Sequence, residues 1–310
     1  MVMGATGFLG RAVVDALGRR GADVTPLSAP RLPPVDGEHV REILPTYRAL
    51  VMATAKQIAG ADAVVNCAGN PDASIQDDLV LMAPNALLPA LLAGAVREAE
   101  ILRFVHVSSA VVQGGSPVLN ESEDVAPFSA YSRSKALGEI LVREIGDGAA
   151  VTYRPPSVHA ENRRVSRLTA RFARSPLSSV ARPGSSPSPQ ALLDNVADAI
   201  AFLATCPERP PAIVAHPSEG LTTATVLTFL GGHQPIEVPR GLARALVAGV
   251  LTCGRIFPAL AANARRIELL WFGQEQASSW LTSVGWTPPA GHDAWRELGR
   301  ALADGRGSQG

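Results

Sequence analysis

The stretch Val2-Met3-Gly4-Ala5-Thr6-Gly7-Phe8-Leu9-Gly10 decides the fold, because it places three glycines between a strand stub and an amphipathic helix. Gly4 permits a tight turn, Gly7 lets the backbone approach a phosphate, and Gly10 lets the helix pack on the strand. The N-terminus of that helix offers unpaired N–H groups to an anion. The spacing therefore predicts a loop that binds a dinucleotide. The residues expected to contact it are Gly4, Thr6, Gly7, Phe8, Leu9 and Gly10.

The first two-thirds of the chain alternates short β-branched runs with longer helical patterns, which is typical of βαβ units. We expect an α/β protein with a Rossmann-type, doubly wound parallel sheet. The expected strands are residues 2–3, 23–27, 63–66, 104–108 and 150–153, and the expected helices are 11–20, 79–99 and 132–145. Four prolines prevent any assignment of residues 29–50, and residues 175–189, rich in Ser, Pro and Gly, are expected to form a surface loop.

The pattern predicts two interleaved parts. Residues 1–155 form the nucleotide-binding domain, to which residues 190–215 return, and residues 304–310 are a tail. Residues 156–189 and 216–303 are expected to form a smaller C-terminal part that binds the substrate.

Composition excludes several classes of protein. The 310 residues carry 28 basic and 28 acidic side chains, and 46% are hydrophobic, which excludes a disordered chain and argues against binding to nucleic acid. Three distant cysteines fit neither a disulfide scaffold nor a metal site. We therefore expect no bound metal, and we expect a cytoplasmic location. The apolar stretch 245–253 is far shorter than the roughly 20 residues of a membrane span, so no transmembrane segment is expected.

Tyr131 and Lys135 lie four residues apart, on one face of a predicted helix. The pair stands out because the chain has three tyrosines and only two lysines, Lys56 being the other. A neighbouring ammonium group stabilises a phenolate and lowers the pKa of the phenol, which makes tyrosine a usable acid or base. Lysine also offers a compact charge that can reach a ribose.

Ser108 and Ser109 end the strand predicted at residues 104–108, at the sheet edge where open α/β sheets bind their ligands. A hydroxyl group there can hold a carbonyl or alkoxide oxygen while the tyrosine exchanges its proton.

The choice of dinucleotide depends on the end of the second strand. An acidic residue there holds the ribose of NAD, whereas a nearby arginine accommodates the 2′-phosphate of NADP. The segment Leu27-Ser28-Ala29-Pro30-Arg31 has no acid, so Ser28 and Arg31 are candidate contacts and NADP is favoured, with NAD still open.

These motifs resemble the extended short-chain dehydrogenase/reductase family, the NAD-dependent epimerase/dehydratase group. The resemblance covers most of the chain. It rests on the glycine loop, residues 62–69, Asn85, the serine pair, Tyr131 with Lys135, Arg154-Pro155 and residues 285–288. It implies that Ser109, Tyr131 and Lys135 are catalytic: Ser109 orients the substrate oxygen, Tyr131 is the general acid/base, and Lys135 binds the nicotinamide ribose and tunes the tyrosine. It further implies cofactor contacts at Ala68, Gly69, Asn85 and Pro155.

The chain departs from the family near the expected substrate pocket. Gln113 stands where the family has a tyrosine after the catalytic serine, and His159 follows Arg154-Pro155 where a tyrosine is usual, so both are expected to contact the substrate. The acidic pair that dehydratases of the family place after this serine is Ala110-Val111 here, which disfavours dehydration. Reversible hydride transfer at a secondary alcohol remains, for net redox chemistry or for epimerisation through a ketone.

Arg164, Arg167, Arg171 and Arg174 form one stripe if residues 163–174 are helical. Relatives that use nucleotide-sugars bind the pyrophosphate with this part of the chain, so Arg167 and Arg171 are candidate substrate contacts. A solvated basic face or an interface stays open as an alternative.

The leading expectation is a nucleotide-sugar epimerase or ketoreductase that acts on a small molecule. The alternatives are a reductase of a lipid, steroid or polyketide-like ketone and a non-catalytic dinucleotide-binding regulator. Helices 79–99 and 132–145 commonly form dimers in this family, so a homodimer is possible.

Overall fold

The centre of the protein is a six-stranded, wholly parallel sheet, seen in a computed structural model that describes residues 1–254 and 258–305. The strand order is β2-β1-β3-β4-β6-β10. The strands are β1 Val2–Met3, β2 Pro26–Leu27, β3 Val64–Asn66, β4 Phe104–Val107, β5 Val118–Leu119, β6 Ala150–Arg154, β7 Ser157–His159, β8 Ser179–Ala181, β9 Gln190–Leu192, β10 Ile213–Ala215, β11 Ile236–Val238 and β12 Glu275–Gln276. The expected α/β class and doubly wound sheet are confirmed.

Helices cover both faces of this sheet, as the alternating pattern predicts. They are α1 Phe8–Arg19, α2 Val40–Ile43, α3 Arg48–Ile58, α4 Asp78–Met82, α5 Leu88–Glu98, α6 Ala130–Ile145, α7 Arg164–Ala173, α8 Leu193–Thr205, α9 Thr223–Gly231, α10 Arg240–Gly254, α11 Pro258–Phe272, α12 Trp280–Ser283 and α13 His292–Ala303. Helices α1 and α8 share one apolar cluster with the sheet, and α3 and α5 share another on the opposite face.

The glycine loop joins β1 to α1 with the close packing that its spacing requires. Gly4 has a φ of +80°, and a methyl group at Gly10 would lie 1.9 Å from the carbonyl oxygen of Gly4. Only glycine fits at these two positions. The first turn of α1 is therefore held against the end of β1.

A single long helix, interrupted by a π-helical turn at Ala83–Leu87, runs from Asp78 to Glu98. By length and composition alone it could cross a membrane, with a mean hydropathy of 1.9; the sequence analysis predicts a helix at residues 79–99 but does not count it as a possible span. However, 83% of its most apolar window is buried inside the protein. That burial is typical of a core helix, because such a helix packs its apolar side chains against the sheet.

The structure differs from the expected elements in two places. Residues 29–50, left unassigned, contain short 3₁₀ turns and helix α2, and helix α3 begins within them; Pro45 lies in the first turn of one 3₁₀ helix, where no N–H is needed. Residues 175–189 are not wholly a surface loop, because β8 lies within them and pairs with β11, with Val180 and Ala181 buried. A strand of three residues is too short to show a periodic pattern.

The C-terminal part has its own core around Trp295, formed by α7, α9 and α13. Strands β7 and β9 pair at its border with the main sheet, and helices α10 and α11 pack on each other. Helix α8 packs on the main sheet, and β10 is its edge strand beside β6. Within the predicted tail, residues 306–310 lie outside the described residues.

Candidate active site

A cavity of about 650 Å³ lies at the carboxyl edge of the central sheet, between the loops of that edge and elements of the C-terminal half of the chain. The sheet side contributes the glycine loop at Gly7–Leu9, the segment Cys67–Pro71 after β3, and Ser108 and Ser109 after β4. Residues from β7, α7, β9 and α11 close the other side. The predicted site residues that line the cavity are Gly7, Phe8, Leu9, Ala68, Gly69, Ser109, Tyr131, Lys135 and Pro155.

Ser109 is held at the mouth of the sheet by a sharp exit from β4. The N–H of Ala110, the next residue, donates to the carbonyl of Pro155 at 2.8 Å, which ties the ends of β4 and β6 together. Ser109 caps a short 3₁₀ helix at Ala110–Gln113 and is 8% exposed. Its hydroxyl is therefore presented to the cavity by rigid backbone on both sides.

Tyr131 lies in the first turn of α6, which begins with a capping box between Ser129 and Ser132. Its phenol lines the same cavity as Ser109. Burial raises the pKa of the Tyr131 phenol, while the neighbouring Ser109 side chain and the positive charge of Arg163 oppose that rise. The offsetting cation among the described residues is thus Arg163, whereas the sequence analysis expected Lys135.

Lys135 lies one turn further along α6 and is 6% exposed. Its Nζ donates a hydrogen bond to the carbonyl oxygen of Val107 at 3.2 Å. Burial lowers the pKa of the Lys135 amine to about 8, although the charges of Glu139 and Cys67 act in the opposite direction. The amine is therefore close to its point of titration near neutral pH.

Gly69 and Asn85 form a narrow cradle beside this amine. A methyl group at Gly69 would lie 2.9 Å from Asn85 Oδ1 and 3.3 Å from Lys135 Nζ. Asn85 lies behind the cavity wall, where its Oδ1 accepts from the N–H of Asn70 at 2.9 Å and its Nδ2 donates to Ser134 Oγ at 3.0 Å. The cradle leaves backbone exposed where a nicotinamide ribose needs close approach, so these residues fit a dinucleotide.

Several predicted cofactor residues lie outside the cavity lining. Gly4 and Gly10 shape the loop from behind, and Thr6 is exposed. Ser28 and Arg31 are exposed beyond the end of β2 and are not brought to the cavity. The structure therefore adds no support to the preference for NADP.

Gln113, expected to bind substrate, is 1% exposed and does not line the cavity. Its amide is engaged in the fold, because Nε2 donates to Asn120 Oδ1 at 2.9 Å and Oε1 accepts from Asn120 N at 2.9 Å. Its role is to hold the loop that follows Ser109.

His159 is likewise placed behind the cavity wall. Its Nε2 contacts Gln190 Oε1 at 2.7 Å, and burial lowers the pKa of the imidazole to about 4. Gln190 itself lines the cavity. The histidine is therefore neutral at physiological pH and supports a cavity residue that the sequence analysis missed.

The predicted arginine contacts Arg167 and Arg171 are exposed on α7 and do not line the cavity. Arg163, at the N-cap of α7, and Arg266 of α11 line it instead. Arg266 Nη2 donates to the carbonyl oxygen of Ala73, and burial lowers the pKa of its guanidinium. The spacing of the stripe pointed to the correct helix, but no sequence signal links Arg266 to a loop 193 residues away.

Metal chemistry has no obvious place in the part of the chain that the structure describes, where no cluster of three or more His, Cys, Asp or Glu could hold a metal ion. Cys67 and Cys206 are free thiols. Cys67 lines the cavity, and burial raises the pKa of its thiol to about 12.

Known structures share this architecture over almost the whole chain. UDP-glucuronic acid 4-epimerase of Bacillus cereus, solved with NAD, is 17% identical with a TM-score of 0.64, covering 98% of each chain. The dTDP-4-dehydrorhamnose reductase of Bacillus anthracis, solved with NADP, is 16% identical with a TM-score of 0.62 and the same coverage. At this identity the likeness shows the fold alone.

Sequence relatives match over about half of the chain. A probable low-salt glycan biosynthesis reductase of Haloferax volcanii is 31% identical over 155 residues, 48% of this chain and 50% of the relative. The dTDP-4-dehydrorhamnose reductase of Streptomyces griseus is 33% identical over 150 residues, 47% of this chain and 45% of the relative. The chain thus spans about half the length of the curated relatives that it matches. The model of the NAD dependent epimerase/dehydratase family matches residues 1–210, so the chain belongs to that family.

Proposed function

We propose that the protein is an NAD(P)-dependent enzyme that transfers hydride at a secondary alcohol or ketone, with a nucleotide-sugar as the leading substrate class. The observation that carries the proposal is the meeting of Ser109, Tyr131 and Lys135 with the glycine loop in one cavity. The match of the family model covers these residues, and relatives named as reductases of glycan biosynthesis and of dTDP-4-dehydrorhamnose match about half of the chain. Either net ketoreduction or epimerisation through a ketone fits this site.

The residues that would hold the dinucleotide are the glycine loop, Ala68, Gly69 and Lys135. When bound, the nicotinamide ring would supply the hydride chemistry. The N-terminus of α1, which has no side-chain cap at Gly7, leaves N–H groups for the phosphates. The Lys135 amine, fixed by the Val107 carbonyl, stands beside Gly69 where it can hold ribose hydroxyls. Ser28 and Arg31 remain candidate contacts of the adenine ribose, and both NADP and NAD stay open.

Tyr131 would be the general acid/base, since its phenol lines the cavity together with Ser109, which would hold the substrate oxygen that exchanges a proton with it. Dehydration would need a further acid or base, yet none of the described cavity-lining residues is Asp or Glu. Hydride transfer without loss of water is therefore the reaction that these side chains support.

A second candidate substrate class is a lipid or polyketide-like ketone. The wall opposite the glycine loop is aliphatic, formed by Val165, Val226, Ile267, Leu269 and Leu270. Such a wall favours an apolar substrate over a ring rich in hydroxyl groups. One relative, 34% identical over 164 residues, is named as a ketoreductase of a farnesyl-bearing quinoline oxide.

A cytoplasmic location and a homodimer complete the proposal. Most apolar residues of α5 are already buried within the chain, whereas Leu79 and Val80 on α4 are 47% and 44% exposed and could meet a second copy. Light scattering of the purified protein tests the dimer, and a Leu79→Glu variant that stays dimeric would contradict this contact.

The test of the function begins with the nucleotide that the purified protein releases on denaturation. Retained NAD favours an epimerase, which need not release its cofactor; an empty protein that binds NADPH favours a reductase. NADPH oxidation is then measured with dTDP-4-dehydrorhamnose and with an apolar aryl ketone. Turnover of the first supports the leading class and turnover of the second supports the alternative. Failure to bind either dinucleotide would overturn the proposal.

A further inference from the structure

Arg163 links the two sides of the cavity. It precedes α7 in the C-terminal part, yet its guanidinium lies 4.8 Å from the centre of the Phe8 ring, in the glycine loop. Both residues line the cavity. A cation over an aromatic face is a favourable contact, so the arginine has a defined place above the loop.

The charge of Arg163 is not compensated by a neighbouring acid. Among the described residues no carboxylate lies within ion-pairing distance of its guanidinium, and none of the cavity-lining side chains is acidic. Its charge does reach the cavity, since it opposes the rise that burial causes in the pKa of Tyr131 and acts on the pKa of His159. A half-buried guanidinium without a counter-charge is well placed to bind an anion.

The anion expected at this point is the cofactor's pyrophosphate. Phe8 is the first residue of α1, whose N-terminal N–H groups have no side-chain cap. Helix N-termini attract phosphate through these groups and through the helix dipole. An arginine held above Phe8 would therefore face the same phosphates from the opposite side, with a planar fork of donors that lysine cannot reproduce.

We propose that Arg163 is a cofactor-binding residue that closes over the pyrophosphate from the C-terminal part of the chain, with Phe8 as its support. The inference rests on the proposed function, since it requires that the protein binds NAD(P). It differs from the expectation for Arg167 and Arg171, which assigned the arginines of this helix to the substrate. It predicts that a residue of the substrate side governs the affinity for the cofactor.

The test measures binding and needs no substrate. The dissociation constants of NADPH, by fluorescence, and of ADP-ribose, by calorimetry, are compared for the wild type, Arg163→Ala and Arg163→Gln. ADP-ribose keeps the pyrophosphate and lacks the nicotinamide. We expect both ligands to bind about tenfold more weakly to the two variants, because a charge-assisted bidentate contact is lost. Phe8→Leu should cause a smaller loss in the same direction.

Arg164→Ala is the matched control, because it removes the same charge at the next residue, which is exposed and does not line the cavity. It should change both constants by less than about twofold. Circular dichroism checks that each variant is folded.

The outcomes separate this inference from the function. If the wild type binds neither ligand, both are overturned. If the wild type binds and the Arg163 variants bind equally well, the inference fails and the function stands. A loss seen for NADPH but not for ADP-ribose would also overturn the inference, because the contact would then not be to the pyrophosphate.

Discussion

The Nζ of Lys135 donates a hydrogen bond to the carbonyl oxygen of Val107 at 3.2 Å, which fastens helix α6 to the strand that leads into Ser109. Tyr131 lies one turn before Lys135 on the same helix. The bond therefore sets the position of the phenol relative to the serine hydroxyl. Burial of the amine is the cost of this arrangement.

That cost makes the stability of the protein depend on pH. The pKa of Lys135 is about 8 in the folded protein, below its ordinary 10.5. Between pH 8 and pH 10.5 the unfolded chain binds more protons than the folded one, so the free energy of unfolding rises with pH. Below pH 8 the amine is charged in both states, and the folded protein carries the full free-energy penalty of burying that charge. Lys135→Met removes the dependence. From pH 7 to pH 9.5 the unfolding free energy of the wild type should therefore rise by about 2 kcal/mol relative to that of the variant.

Urea denaturation at both pH values measures this difference. Lys56→Met is the matched control, because Lys56 is the other lysine of the chain and is exposed. A difference for Lys135→Met that does not change with pH would show that the amine is not buried in its charged form.

Replacing Tyr131 should remove the chemistry while leaving the cofactor in place. In Tyr131→Phe the ring stays and the proton donor goes, so we expect kcat to fall about 10²–10⁴-fold. The dissociation constant of NADPH should stay within about twofold, since a single hydroxyl group is removed and the ring stays in place. Tyr47→Phe, which lies outside the cavity lining, serves as the control. More than a tenth of normal activity in Tyr131→Phe would contradict its role as the acid/base.

Breaking the ion pair between Arg154 and Glu139 should lower the unfolding free energy more than replacing both residues with apolar ones. Its N–O distance is 2.7 Å and both side chains are 1% exposed. Arg154→Met leaves the Glu139 carboxylate buried without its partner, so we expect a loss of about 3–5 kcal/mol in unfolding free energy. The double variant with Glu139→Leu should recover part of that loss.

The exposed pair of Arg41 and Glu144 provides the comparison, with side chains about half exposed. Arg41→Met should cost less than about 1 kcal/mol. Equal losses from Arg41→Met and Arg154→Met in urea denaturation would refute the special cost of the buried pair.

Two glycines of α1 should respond in opposite ways to the same change. A methyl group at Gly10 would lie 1.9 Å from the Gly4 carbonyl oxygen, whereas nothing lies within 4 Å of the corresponding position at Gly18. Gly10→Ala should therefore displace the loop and abolish NADPH binding, while Gly18→Ala should stabilise the helix by up to about 1 kcal/mol. Thermal melts and NADPH titration check both. Normal NADPH affinity in Gly10→Ala would show that the loop tolerates the displacement.

The parts of the site that were predicted from the sequence are those encoded in short, local motifs. The glycine loop, Ser109 and the Tyr131–Lys135 pair are each short motifs, and all of them line the cavity. Strand ends in a parallel sheet meet at one edge, so motifs at those ends come together wherever the rest of the chain goes.

The opposite wall of the cavity could not be predicted in this way. Arg163, Gln190 and Arg266 reach it through packing between segments far apart in the chain. Gln113 and His159 stand where family members carry other residues, which suggested substrate contacts, but hydrogen bonds to Asn120 and Gln190 hold their side chains behind the wall. A position in a motif fixes where the backbone runs, whereas the partners of a side chain depend on what packs beside it.

The π-helical turn at Ala83–Leu87 fixes the number of residues in this part of the chain. An α-helix advances about 100° per residue, so deleting one residue here would restore a regular helix and rotate the turns before it by roughly that angle. Leu81 and Met82 would leave the core, and Asn85 would lose its hydrogen bonds to Asn70 and Ser134. A single-codon deletion that a surface loop absorbs would thus be eliminated by selection at this turn, even if every remaining side chain were kept.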